Sequence, residues 1–168
     1  MAGVTRRDWV LAALCWTDAL RAQGLAYFDE ATAREIEAIA ETIIPGDQTP
    51  GGREAGVIRF IDRALAGYDA DKRALYTDGL ANAETRRAGM FPGSKAIAEL
   101  TPAQRIELLK AIENTAFFRQ VRQHTILGYF GHPKHGGNRD LAANKLLGIE
   151  SGPHYQPPFG YYDREAAK

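Results

Sequence analysis

Four histidines, His124, His132, His135 and His154, are the side chains of this sequence best suited to ligate a metal or move a proton. His132 and His135 stand three apart with Asp140 close behind, which offers imidazole and carboxylate ligands of the kind that bind transition metals. On that basis one reading is a stand-alone metal-dependent enzyme using His132, His135 and His154. The spacing matches no strong metal motif, however, and a loop of Gly, Pro and His beside aromatics more often fixes backbone shape than holds an ion. A serine nucleophile would need a sharp turn of the Gly-x-Ser-x-Gly type, and neither Ser94 nor Ser151 has that context. Glycines near 46–52 and 136–137 lack both the phosphate-loop and the dinucleotide patterns. Neighbouring carboxylates such as Asp29 with Glu30, and Glu35 with Glu37, suit a helix start or a solvated face better than an acid–base pair. The single cysteine, Cys15, excludes an internal disulfide and a cysteine-based zinc site, and leaves this chain unable to hold an iron–sulfur cluster alone. No catalytic, cofactor-binding or metal-binding set is assigned to the chain.

The elements that would position these residues are helical almost throughout. Asp29 is placed to N-cap a helix over 30–44, where Ile36, Ile39, Ala40 and Ile43 recur at helical spacing. Pro45 ends it, and the turn-rich loop 45–52, carrying Gly46, Asp47, Pro50 and Gly51, is shaped rather than floppy. A second helix is expected over 53–65 with Val57, Ile58, Ile61 and Leu65 inward, then Gly67, a third helix over 69–87, and a short turn within 94–100. Thr101-Pro102-Ala103-Gln104 reads as a capping box with proline at the first helical position. Its helix carries Ile106, Leu109 and Ile112 inward, and the pattern resumes after Thr115 with Phe117, Val121 and Thr125. From Gly128 onward glycine, proline and aromatics replace aliphatics, with a short helix expected within 138–147. The stretches 128–138 and 151–162 cannot form a core alone, so their aromatics need a surface to lie on. There is no strand-like alternation and no internal repeat. The expected fold is therefore all-α, a compact helical domain with a long irregular C-terminal arm.

A chain of 168 residues with 45% hydrophobic content supports one domain with a real core. Its 21 basic and 21 acidic residues cancel, so no net field draws it to nucleic acid or to an anionic bilayer. At the N-terminus, paired Arg6 and Arg7 stand directly before the apolar run from Trp9 to Trp16. That order suits a twin-arginine export signal in residues 1–24, with the helical domain and its arm over 25–168. Asp18 and Arg21 interrupt the run early, so an amphipathic first helix is the other reading of the same stretch. The run falls well short of the roughly 20 apolar residues that span a bilayer.

One combination of segments is more specific. Ile36-x-x-Ile39-Ala40-x-Thr42-Ile43-Ile44-Pro45-Gly46-Asp47-x-x-Pro50-Gly51, then Ala55-Gly56-Val57 and Phe60-Ile61-Asp62, then Gly128-Tyr129-Phe130-x-His132-Pro133-x-x-Gly136-Gly137-Asn138, resembles the gluconate 2-dehydrogenase subunit 3 family. The resemblance covers most of the chain after residue 28. It implies a cofactor-free, non-catalytic small subunit of a membrane-associated sugar or polyol dehydrogenase. The partner it implies is an FAD-containing flavoprotein of the glucose-methanol-choline oxidoreductase family, with a multihaem cytochrome c often accepting the electrons. It also favours the export reading of Arg6 and Arg7, the small subunit carrying the large one to the periplasm; without a working signal the chain would stay cytoplasmic. Membrane association would then be peripheral and only through the complex. A covalent link to the partner, known for some relatives, would have only Cys15 to use. A subunit that wraps a partner uses aromatic anchors and Gly/Pro loops. The expected partner contacts are accordingly Pro45, Gly46, Asp47 and Pro50 in the first loop, Tyr129, Phe130, His132, His135, Gly136, Gly137 and Asn138 in the second, and Tyr155, Phe159 and Tyr161 in the arm. His132, His135 and Asn138 have two readings, reaching toward the partner's substrate entrance or simply fixing the loop, and the second is the more common role for such residues.

Overall fold

The computed structural model describes residues 24–149, which form six α-helices with short 3-10 turns in three of the connections; among the described residues there is no strand. The helices are α1 (Glu30–Ile43), α2 (Val57–Ala66), α3 (Arg73–Met90), α4 (Pro102–Ile112), α5 (Ala116–Phe130) and α6 (Ala142–Leu147). The fold is all-α, as the hydrophobic periodicity requires.

Helix starts follow the local chemistry. An extended Asp29 accepts the Thr32 amide at 2.7 Å and caps α1. Thr101 and Gln104 form the reciprocal capping box of α4 with Pro102 at its first turn, and Thr115 accepts the Phe118 amide at 3.1 Å to start α5. Each cap satisfies an amide that the first turn leaves without a partner.

Helix α5 is the centre of the bundle, packed against α1, α2 and α3. Its inward face carries Phe117, Val121, His124, Thr125, Gly128 and Tyr129. Around it Ile36 and Ile39 of α1, Ile61 and Leu65 of α2, Tyr76 of α3, and Leu108 and Ile112 of α4 are almost fully buried. Close packing of this kind is the main stabilising contribution, since each large apolar side chain taken from water is worth about 1.5–3 kcal/mol.

Three expectations are corrected. The second helix begins at Val57 rather than at residue 53, because Gly56 adopts φ 68 and the preceding residues close into turns on Gly51, Gly52 and Arg53. Val57, Ile61 and Leu65 are buried as expected with Ile58 half-buried against the core, and Phe60 joins them. Ile106, expected inward, is 48% exposed, since α4 buries the face of Leu108, Leu109 and Ile112 and Ile106 projects well to one side of it. Helix α5 also runs on through Phe130, two residues past the point where the composition changes.

Candidate functional site

The loop after α1 is held by carboxylates that accept its amides. Glu41 accepts the Gly46 amide at 3.0 Å and the Arg53 amide at 2.8 Å, Glu54 accepts the Gly51 amide at 2.9 Å, and Gly52 donates to the Ile44 carbonyl at 2.8 Å. Gly51 passes so close to Gly46 that a side chain there would sit 2.3 Å from a backbone nitrogen. Asp47 accepts both the amide and the hydroxyl of Thr49, and those bonds hold its carboxyl below the usual carboxylate range. With the loop ends fixed by these bonds, Pro45, Gly46, Asp47 and Pro50 are left at the surface.

The second loop joins this one across about eighty residues of sequence. Tyr129, 1% exposed, donates its hydroxyl to the Pro50 carbonyl at 2.6 Å, and Arg139 donates its amide to the Ala55 carbonyl at 2.9 Å. Buried Asn138, in left-handed backbone at φ 47, donates to the Gly131 carbonyl and to Asn144, and accepts the Ala143 amide at 3.0 Å. Gly137 lies against Gly128 so tightly that a Cβ would be 2.0 Å from its carbonyl oxygen. His132 accepts the Lys134 amide on Nδ1 at 3.2 Å and caps the 3-10 turn Pro133–His135. The two loops are one cluster, in which Tyr129, Gly137 and Asn138 face inward and fix its shape, while Phe130, His132 and His135 are exposed beside it. Gly136 is half-buried against the backbone of Arg59. Tyr155, Phe159, Tyr161 and His154, like Arg6 and Arg7, lie outside the described residues.

Among the described residues no three His, Cys, Asp or Glu side chains come together as metal ligands. His124 belongs instead to a buried polar centre that sequence reasoning did not assemble. Its Nδ1 lies 2.9 Å from the Tyr76 hydroxyl and its Nε2 lies 3.0 Å from Asp69, with Gln120 at 2.8 Å. A neutral ring that accepts from Tyr76 and donates to Asp69 satisfies both bonds. Lys72 pairs with the other oxygen of Asp69. Burial pushes the His124 pKa down against the opposing pull of Asp69, and burial likewise pushes the Tyr76 hydroxyl up. Burial also acts to raise Asp69, but the bonds from Lys72 and His124 outweigh it and leave its pKa lowered. Tyr76 stacks on the imidazole at 5.8 Å, and both side chains are 1% exposed. The triad resembles a catalytic relay in composition, and with His124 1% exposed its bonds tie α3 and α5 together within the core.

A second inward-facing carboxylate is Asp62, which accepts the amides of Ala26, Tyr27 and Phe28 at 2.6, 2.9 and 2.9 Å. It fixes the chain leading into α1. Both centres carried a usable signal. His124 stands seven residues after Phe117 on the apolar stripe of α5, and Asp62 follows Ile61 directly within α2, where a solvated charge would be out of place.

Residues 30–152 match the model of a family described as Gluconate 2-dehydrogenase subunit 3. The match takes in both loops of the cluster. No curated protein and no solved structure matches the chain.

Proposed function

We propose a function from one premise: this chain belongs to the gluconate 2-dehydrogenase subunit 3 family. Such a chain is an accessory subunit that assembles with a catalytic dehydrogenase subunit. The finer reading is that the partner is an FAD-dependent sugar or polyol dehydrogenase of the glucose-methanol-choline type, that this chain performs no chemistry, and that it stabilises the flavoprotein. We further infer that Arg6 and Arg7 direct the folded pair through the twin-arginine route to the periplasm, where a multihaem cytochrome c would take the electrons.

The observation that best supports this reading is the loop cluster. Its inward groups are bonded to one another, so the outward residues Pro45, Asp47, Phe130, His132 and His135 are held in place before any partner arrives. Preorganisation of that kind lowers the ordering cost of association. An accessory subunit would use such a surface, whereas among the described residues His124 and Tyr76 are buried.

Purification of the tagged chain from its native host, with a flavin absorbance spectrum of what is recovered, tests the proposal. A stoichiometric yellow partner larger than this chain is expected. Recovery of the chain alone, colourless under gentle conditions, would sink it. For the export arm, replacing Arg6 and Arg7 together by lysine should retain the pair in the cytoplasm with its assembly unchanged.

A further inference from the structure

Helix α4 turns outward a large apolar side chain, Ile106, which is 48% exposed, and on the neighbouring α5 Leu127 is 45% exposed. Both stand on one surface channel. A groove of about 280 Å³ between α1, α4 and α5 is lined by Ile43, Ile106, Leu109 and Phe118, and a second of about 490 Å³ continues along α5 past Ile126 and Leu127. Glu113, Phe118 and Arg122 line both, so the two grooves join. From Phe118 to Leu127 the channel follows α5 for about 14 Å, two to three turns of helix. Single exposed apolar side chains are ordinary on a protein surface, but a run of them along one groove marks a place where another chain lies.

The charge on this channel is one-sided. Lys110, Arg119 and Arg122 line it, and Glu113 is the one carboxylate among the lining side chains. Arg119 already donates to the Asn114 carbonyl at 2.9 Å. Among the described residues the ion pairs use Arg34, Arg53, Lys72, Arg87 and His124, so Lys110 and Arg122 are unpaired there, although Glu107 and Glu113 each stand three residues from Lys110. Apolar surface edged by unpaired cations suits a segment with an apolar face and carboxylates beside it, and rejects a cationic one. The channel also leads to the loop cluster, since Leu127 and Phe130 are three apart and neighbours on the surface of α5.

We propose that this channel is a docking site for the catalytic dehydrogenase subunit, which lays in it an amphipathic segment with its apolar face on Ile106, Phe118 and Leu127 and its carboxylates on Lys110 and Arg122. The proposal rests on the accessory-subunit reading and adds to the loop cluster a second contact, continuous with it through Phe130. Burial of Ile106 and Leu127 supplies affinity, and the two cations fix the register of the segment.

Purification of the tagged chain from its native host, with the catalytic subunit identified by peptide sequencing, tests the site. Ile106→Glu and Leu127→Glu, both at half-exposed positions, should each lower recovery of that subunit about five-fold with helical circular dichroism unchanged. Arg122→Glu, at an exposed position, should lower it about two- to three-fold at low ionic strength and less in high salt, and it decides the matter should either apolar variant lose helix. Undiminished recovery with the folded variants would overturn the docking site and leave the accessory-subunit reading intact. Recovery of the unaltered chain alone would remove that reading and the docking with it. Self-association of the unaltered chain that Ile106→Glu abolishes would assign the channel to a second copy and overturn the proposal.

Discussion

The His124 centre and the loop cluster are both tied across long stretches of sequence by polar bonds, and they differ in what they leave outside. At His124, ring, hydroxyl and carboxylate all point at one another within the core. In the loop cluster Tyr129 and Asn138 point inward, while Pro45, Asp47, Phe130, His132 and His135 stand at the surface. The buried centre thus commits its chemistry-bearing side chains to the fold, whereas the loop cluster leaves two histidines and an aromatic outward on a hydrogen-bonded backbone.

Substitutions can break or sharpen that contrast. His124→Ala should have the largest effect, about 4 kcal/mol of lost stability from the cavity and the unpaired Tyr76 and Asp69 groups, read in urea unfolding. Partner capture by the fraction that remains folded should be unaffected; a change there would join the two regions functionally. Gly137→Ala comes next at about 3 kcal/mol, because the new Cβ meets the Gly128 carbonyl and no flexible side chain can yield. Unlike His124→Ala, it should also weaken partner capture by shifting Phe130 and His132.

A pH series separates the regions without mutation. Because burial lowers the His124 pKa in the folded chain, the unfolded chain takes up a proton first as pH falls below the ordinary histidine value of 6.5. Stability should therefore be full above that value and decline on acidification until the folded ring also protonates. A variant with His124 replaced by Gln should flatten the slope; an unchanged slope would remove His124 as its source. The smallest effect on stability is expected for Phe130→Ser, within about 0.5 kcal/mol at an exposed position. Its readout is co-purification of the catalytic dehydrogenase subunit, which should fall if the outward face is the contact.

Much of the fold was legible because it rests on local chemistry. Asp29, the Thr101–Gln104 box and the break at Thr115 each mark a helix start in three or four residues. Helix α2 was misplaced at its start because the positive φ of Gly56 depends on how the loop closes on Gly51 and Gly52, which no short window reveals. The loop segments could be named from sequence but not assembled. Their union depends on Tyr129 reaching Pro50 and Arg139 reaching Ala55, contacts between residues about eighty positions apart. His124 was noticed as a possible ligand, and only the register of α5 against α3 turns it toward Tyr76 and Asp69.

The three amides gathered on Asp62 also have a mechanical meaning. A pull on the chain ahead of Gly24 would be shared by three hydrogen bonds that begin at Ala26 and end on α2, the helix packed against the centre of the bundle. Load would pass into the core through that anchor before it reached α1. The domain can thus be drawn by its leading end without its first helix unwinding turn by turn.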